Sequence, residues 1–203
     1  KDQDKSSGKL YDRLFVRHWD TWADGRRSRL FVAALPEGKA KPVASATSLT
    51  DRLDGDAPSK PFGGADEYTW SPDGASVVAA IRVAGKGEAW STNFDVYSVP
   101  AAGGAAPRNL TADNPAWDTK AVFSPDGKTV YFLSAKSGTQ QLYAMPLVGG
   151  APRQLTAFAL DVASYKVSPD GTRVLFSTDT FADCKADFAF TKKKLDDTAA
   201  KKS

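Results

Sequence analysis

One turn sequence recurs three times, in WSPDGASVVAAI (Trp70–Ile81), FSPDGKTVYFLS (Phe123–Ser134) and VSPDGTRVLFST (Val167–Thr178). Proline presets φ at the second position of a tight turn, aspartate can hydrogen-bond the local backbone, and glycine accepts the positive φ that ends the reversal. Each turn leads into a run of β-branched and aromatic residues, which is typical of a strand. These runs are nearly continuous rather than alternating, so we expect sheets to cover both faces of each strand.

A second motif follows each of the first two turns. Tyr97–Gly104 (YSVPAAGG), which runs on to a Leu-Thr ending, matches Tyr143–Gly150 (YAMPLVGG), which runs on to another. A fainter copy, Phe31–Gly38 (FVAALPEG), continues to Val43 near the start of the chain. A period of about 40 to 50 residues that carries two hairpins is typical of the four-stranded blades of a β-propeller. An all-β sandwich would explain the strands but not the repeated order of the motifs.

The sequence therefore predicts an all-β fold of four-stranded antiparallel propeller blades, similar to TolB and WD40 repeats, in an incomplete or permuted ring of about three blades. Within the single propeller 1–203 we expect a second half-blade at 10–49, blades at 50–111 and 112–156, a first half-blade at 157–182, and a polar, helix-prone tail at 183–203. The two half-blades together make one blade. We predict that strands near residues 10–43 complete the sheet begun by 163–178, either within one molecule or between two copies in a homodimer, because an unpaired apolar strand edge is prone to association.

Composition limits the function. The 203 residues are 41% apolar with a net charge of +3, and much of the positive excess lies in lysines at the two ends, which we interpret as solvated rather than as a nucleic-acid footprint. The one cysteine, Cys184, excludes an internal disulfide, and with the one histidine, His18, it cannot form a structural zinc site. No metal or cofactor is predicted. The chain contains neither a run of about 18 apolar residues nor a signal-peptide pattern, so no membrane partner is expected.

Four segments go beyond the repeat: RHWDTW (17–22), SKPFG (59–63), WSTNF (90–94) and NPAWD (114–118). At these residues the chain resembles the propeller domain of bacterial serine peptidases of the prolyl oligopeptidase family, in the dipeptidyl-peptidase 5 and acylaminoacyl-peptidase-like branch. The resemblance implies a propeller lid over a separate α/β-hydrolase domain that removes short peptides from the N-termini of oligopeptides. It also implies a periplasmic or secreted location, although a cytoplasmic one stays open because the chain carries no signal.

The catalytic chemistry of that family has no counterpart in the chain. A nucleophile elbow needs G-x-S-x-G, and the nearest match, Gly74–Val78, lacks the second glycine. A serine triad also needs a histidine base, and His18 stands in a strand-like run. We therefore expect a propeller portion that gates and orients an oligopeptide substrate for an α/β-hydrolase domain of the parent protein, and that is inactive alone. The alternative is a non-enzymatic TolB-like propeller that binds a protein or a glycan.

Two clusters supply the candidate substrate-binding residues. They are Arg17, His18, Trp19, Asp20 and Trp22 in the first cluster, and Glu88, Trp90 and Asn93 in the second. In a strand, Arg17 and Trp19 would share one face while His18 and Asp20 share the other. One interpretation packs both tryptophans between blades and pairs Arg17 with Asp20 or a neighbour. The other lines a substrate chamber with one face of the strand and offers an acidic group to a peptide α-amine. The second cluster lies in a connection longer than a hairpin needs. Such loops often bind ligands, and the alternative interpretation is loop variation without function.

Overall fold

The computed structural model describes residues 7–38 and 42–201. Its strands are β1 (Arg17–His18), β2 (Thr21–Trp22), β3 (Phe31–Val32), β4 (Thr47–Ser48), β5 (Tyr68–Trp70), β6 (Ser76–Ile81), β7 (Asp95–Pro100), β8 (Arg108–Asn109), β9 (Asp118–Phe123), β10 (Thr129–Ser134), β11 (Gln141–Pro146), β12 (Arg153–Gln154), β13 (Ser164–Val167) and β14 (Val174–Ser177). Single 3-10 turns occupy Ala65–Glu67, Gly85–Gly87 and Ala182–Cys184, and one α-helix, α1, spans Phe188–Ala200.

The strands form two four-stranded antiparallel meanders, β5-β6-β7-β8 and β9-β10-β11-β12. Three two-stranded antiparallel sheets accompany them, β1-β2, β3-β4 and β13-β14. In each meander, strands that follow one another in the chain also lie side by side, as in a propeller blade. The predicted all-β class and its four-stranded antiparallel sheets are confirmed, and the described residues do not close a ring.

The three SPDG turns use the same hydrogen bonds. In the first turn, the Ser71 hydroxyl donates to Asp73 at 2.5 Å and accepts the backbone N–H of Ser76 at 2.9 Å. Gly74 takes φ +71°, the left-handed conformation that glycine adopts without a Cβ clash. The same two hydrogen bonds recur in the second turn, among Ser124, Asp126 and Thr129. They also recur in the third turn, among Ser168, Asp170 and Arg173. The turn chemistry is local, which explains why it can be recognised from the sequence.

A second repeated hydrogen bond involves the threonine of each Leu-Thr ending. The hydroxyl of the Leu-Thr threonine accepts a backbone N–H from the preceding strand: Val96 donates to Thr111 at 3.0 Å and Leu142 donates to Thr156 at 2.9 Å. Leu30 donates to Thr50 in the same way at 3.1 Å. The faint first copy of the motif therefore ends at Leu49-Thr50, which the sequence analysis missed when it followed this copy only to Val43.

The core lies between sheets that stack face to face. Leu30 and Leu49 of the β3-β4 region pack with Val77 and Tyr97 of the first meander. Val78, on the opposite face of that meander, packs with the second meander. Leu133 of the second meander belongs to a third buried cluster, against which Phe176 of β14 packs. The order of the sheets is therefore β3-β4, first meander, second meander, β13-β14.

This order corrects one form of the closure prediction. Closure within one molecule would bring β3-β4 beside β14, whereas among the described residues β13 and β14 pair only with each other. The physical reason is that two packed meanders separate the half-sheets, and each half-sheet buries its apolar face against a different meander. Completion between two copies stays a prediction.

Candidate functional site

The candidate residues share one end of the stacked sheets. Because neighbouring strands are antiparallel, successive connections alternate between the two ends of a meander. The SPDG turns lie at one end, and the connections that contain the distinctive segments lie at the other, which we call the loop end. The loop end is formed by residues 49–67, 82–94, 110–117, 135–140 and 155–163.

A cleft of about 830 Å³ opens at the loop end. Its walls carry three kinds of side chain, aromatic, acidic and basic. They include Phe62, Phe94 and Trp117; Asp66, Glu67, Asp161 and Asp179; and Lys60 and Lys120. The Phe94 and Trp117 rings lie in contact, tilted by 44° with their centroids 6.0 Å apart, so segments WSTNF and NPAWD meet in this wall. The cleft therefore joins three of the four distinctive segments.

The acidic side chains of the cleft have different structural roles. Glu67 accepts from both the backbone N–H and the hydroxyl of Ser59 at 2.6 Å, and Asp161 accepts from the backbone N–H of Gln140 at 2.7 Å. These two carboxylates hold the backbone of the loops at Ser59 and Gln140 in place. Asp66 pairs loosely with Lys120, at 3.8 Å between charged atoms. Asp66 and Asp179 are exposed in the cleft, and they are the carboxylates best placed to meet a ligand.

The first candidate cluster forms the β1-β2 hairpin. Arg17 lies opposite Trp22, and its guanidinium is 5.4 Å from the indole ring. Trp19 has φ +48° in the turn, so the predicted alternation of faces ends at His18. Trp19 and Trp22 are 74% and 57% exposed, so the interpretation that packs them between blades is wrong for this structure.

The hairpin meets the cleft through aromatic contacts of His18 and Trp19 with Phe62, the second at 6.2 Å between ring centroids. The His18 ring lies 4.5 Å from the Trp19 ring and 5.8 Å, edge to face, from Phe62, which lines the cleft. Asp20 is exposed in the hairpin turn, where the hydroxyl of Thr21 donates to it at 3.5 Å. His18 and Trp19 thus stand at the rim of the cleft, while Asp20 lies outside its lining.

The second candidate cluster is divided among three places. Glu88 is bound by Arg27 at 3.0 Å and approached by Arg82 at 3.6 Å. Trp90 is exposed and lines a smaller depression of about 360 Å³ beside residues 11–16. The Asn93 amide, oriented with its nitrogen toward the neighbouring carbonyls, donates to Ala116 at 2.9 Å and to Asn114 at 3.2 Å. Asn93 therefore positions the NPAWD loop, and only Trp90 faces open space.

An ionic cluster that the sequence analysis did not single out holds this end together. Arg27 pairs with Asp54, Asp56 and Glu88 at 2.9 to 3.0 Å, although these residues are far apart in the sequence. The hydrogen bond to Glu88 raises the pKa of Arg27 above its usual range. Arg29 donates to the carbonyls of residues 50, 53 and 55, which shapes the loop that carries two of the acids. The cluster ties the segment before β3 to the connection between β6 and β7.

Two buried carboxyl groups stand at the loop end, each at the first residue of a strand. Asp95 begins β7 and Asp118 begins β9, and burial raises the pKa of both above the usual range. Asn114 donates to one oxygen of Asp118 at 2.7 Å, whereas the other oxygen, Oδ2, has no hydrogen-bond partner.

Residues 7–38 and 42–201 contain no cluster of three or more His, Cys, Asp or Glu able to hold a metal ion. Over the same residues, no helix is long and apolar enough to cross a membrane.

Four-stranded antiparallel meanders stacked face to face define the class of the protein, a β-propeller. The chain belongs to the TolB beta propeller domain family, whose sequence pattern matches residues 60–201. The resemblance to the dipeptidyl-peptidase 5 branch is also confirmed. The chain is 28% identical to dipeptidyl-peptidase 5 of Porphyromonas gingivalis, over 86% of this chain and 26% of that protein. It is 29% identical to a probable dipeptidyl-peptidase 5 of Emericella nidulans, over 82% of this chain and 23% of that protein.

The chain thus spans about a quarter of the length of the curated relatives that it matches. Among solved structures it is similar to a puromycin-hydrolyzing peptidase of Mycobacterium tuberculosis, with a TM-score of 0.45 and 18% identity, over 74% of this chain and 25% of that one. The family assignment rests on the sequence match and on the sheets described above.

Proposed function

We propose that this chain is the propeller portion of a dipeptidyl-peptidase-type serine exopeptidase, in which the loop end admits and orients oligopeptides for an α/β-hydrolase domain. The cleft at the loop end is the observation that supports this function best. It combines aromatic walls with exposed carboxylates, and its volume of about 830 Å³ is within the range of small-ligand sites.

The chemistry of the cleft suits the N-terminus of a peptide. An exopeptidase substrate presents a positively charged α-amine followed by side chains of varied polarity. Asp66 and Asp179 can accept charge-assisted hydrogen bonds from that amine. The rings of Phe62, Phe94 and Trp117 offer apolar surface to the side chains that follow. In this proposal the acidic group assigned to the α-amine lies in the cleft instead of at Asp20.

The proposal predicts that the isolated chain binds unblocked tripeptides more tightly than the same peptides with an acetylated N-terminus. Titration calorimetry measures both affinities. Asp179→Asn is expected to weaken binding of the free-amine peptide by about tenfold or more, because a hydrogen bond to a charged group contributes about 1.5–3 kcal/mol. The acetylated peptide should lose little affinity in the same variant.

Asp113→Asn is the matched control, since Asp113 is exposed at the loop end but does not line the cleft. Equal binding of free and acetylated peptides, or equal losses in Asp179→Asn and Asp113→Asn, would refute the assignment of the α-amine to this cleft. Binding of folded proteins or glycans in place of short peptides would favour the non-enzymatic alternative.

A further inference from the structure

The first strand of the second meander contains a β-bulge beside the cleft. Val122 of β9 pairs with Tyr131 of β10 and Thr119 pairs with Leu133, so β9 advances by three residues where β10 advances by two. The extra residue of β9 falls beside Lys120, which lines the cleft and has φ +52°. That left-handed conformation suits glycine and is unfavourable for a residue with a Cβ.

The blade repeat does not require this bulge. Strands β5 and β13 precede their SPDG turns as β9 does, and they pair with β6 and β14 through consecutive residues without a shift of register. The residues four positions before the SPDG serine are Glu67 and Ser164 in those copies, and neither has a positive φ. Bulges re-aim side chains next to active sites, and strained backbone is frequent where proteins hold ligands. The bulge at Lys120 therefore indicates a role for its side chain.

The neighbouring sheet holds the bulge in place. The hydroxyl of Tyr165, in β13, donates to the carbonyl oxygen of Lys120 at 2.8 Å. Tyr165 itself packs against the buried cluster that contains Leu133. The backbone of Lys120 is thus fixed by β10 on one side and by Tyr165 on the other. Its ammonium group, which lies near Asp66 of the cleft lining, is the part of the residue that a ligand can reach.

The two lysines of the cleft differ in their availability to a ligand. Lys60 donates to the carbonyl of Arg26 at 2.9 Å and pairs with buried Asp56 at 3.2 Å. The ammonium of Lys120 lies 3.8 Å from Asp66, longer than a hydrogen bond, and 36% of its side chain is exposed. Over residues 7–38 and 42–201, Asp66 is the one charged group that pairs with Lys120. The Lys120 ammonium therefore keeps its donors for a ligand.

We propose that Lys120 binds a carboxylate group of the peptide in the cleft. This assignment rests on the proposed function, because it names a second charged contact with the same ligand. An ammonium forms charge-assisted hydrogen bonds with carboxylate oxygens, as the Asp179 carboxylate does with the α-amine. A short peptide offers a carboxylate at its C-terminus or in an acidic side chain. The cleft then selects peptides by charge at two points, and Asp66 is the counter-ion of Lys120 in the absence of ligand.

Titration calorimetry with two pairs of peptides tests this assignment, and all four peptides have a free α-amine. The first pair is trialanine with a free or an amidated C-terminus, and the second is the amidated peptides Ala-Glu-Ala and Ala-Gln-Ala. In at least one pair, the peptide with the carboxylate should bind about tenfold or more tightly, because hydrogen bonds to charged groups are strong. A preference in the first pair identifies the C-terminal carboxylate as the ligand, and one in the second identifies an acidic side chain.

Variants of Lys120 assign the preference to its side chain. Lys120→Gln should make the two members of the pair bind equally, whereas Lys120→Arg keeps the charge and should keep the preference. Lys136→Gln is the matched control, since Lys136 is exposed at the loop end but does not line the cleft. Lys120→Gly should lose the preference yet melt close to the temperature of the unmodified chain, because glycine adopts the positive φ without a Cβ clash.

Equal binding within both pairs, or a preference that Lys120→Gln retains as Lys136→Gln does, overturns the proposal. The comparison of free with acetylated N-termini reports on the α-amine instead. A carboxylate preference without an amine preference would support Lys120 and refute the α-amine assignment. An amine preference without a carboxylate preference would refute Lys120 and leave the proposed function in place.

Discussion

Asp118 and Asp170 are two carboxyl groups with opposite environments. Asp118 is fully buried with one unpartnered oxygen, and burial raises its pKa above the usual range. Asp170 is exposed in the third SPDG turn, where hydrogen bonds from Ser168 and the N–H of Thr172 lower its pKa to about 2. Compared with the unfolded chain, the folded protein therefore stabilises the protonated form of Asp118 and the ionised form of Asp170.

These environments predict opposite effects of pH on the free energy of unfolding. Between its unfolded and its folded pKa, Asp118 is still protonated in the folded state but already ionised in the unfolded state. The free energy of unfolding therefore falls as pH rises above the unfolded pKa of about 3.9, and it levels off above the folded pKa. The contribution of Asp170 is present above about 3.9 and is lost as pH falls toward 2. Urea denaturation across the acidic range should show that Asp118→Asn reduces the first slope, to which the raised pKa of Asp95 also contributes, and that Asp170→Asn reduces the second, to which the lowered pKa values of Asp73 and Asp126 also contribute. A profile of Asp118→Asn that matches the unmodified chain would contradict the assignment.

At the scale of the element, the third and fourth strands of a blade are joined by the Leu-Thr threonine. In the first meander, the Thr111 hydroxyl accepts the buried N–H of Val96 at 3.0 Å. Thr111→Val keeps the shape of the side chain but leaves that N–H without a partner, so we expect a loss of about 1–3 kcal/mol in the free energy of unfolding. Urea denaturation with an unchanged m-value measures the loss. Thr21→Val, at an exposed hydroxyl, is the control and should change stability by less than about 0.5 kcal/mol.

The same scale shows which elements could be predicted from the sequence. The SPDG strands were predictable because Ser71, Asp73 and Gly74 determine their turn through contacts within a few residues. Thr50 was missed because the segment between β3 and β4 is longer than its counterparts, which hides the repeat. In the candidate site, the contact of Arg27 with Glu88 joins residues 61 positions apart, and no local pattern reports such a contact. The hairpin at Trp19 departed from strand alternation because a positive φ turns the chain there.

At the scale of the whole molecule, the chain carries the proposed peptide site without the sequence motifs of a serine peptidase. The loop end presents aromatic and acidic groups to a cleft, but the sequence contains no G-x-S-x-G and only one histidine. That histidine, His18, is exposed in a hairpin and contacts the tilted ring of Trp19, an arrangement that provides no nucleophile for it to activate. A triad needs a serine, a base and an orienting acid in hydrogen-bond contact. The contacts of His18 are aromatic instead.

We therefore predict that the 203-residue chain binds peptides without cleaving them. Incubation with chromogenic dipeptide and acyl-amino-acid substrates should give no turnover above buffer, and a fluorophosphonate probe for activated serines should leave the chain unlabelled. A related dipeptidyl peptidase that contains its hydrolase domain, assayed in parallel, shows that the substrates and the probe react. Covalent labelling at a serine of this chain, together with turnover that His18→Ala abolishes, would show that the propeller itself carries the catalytic chemistry. Peptide binding without turnover would instead assign recognition to the propeller and bond cleavage to a separate domain, because the cleft alone would then account for the affinity.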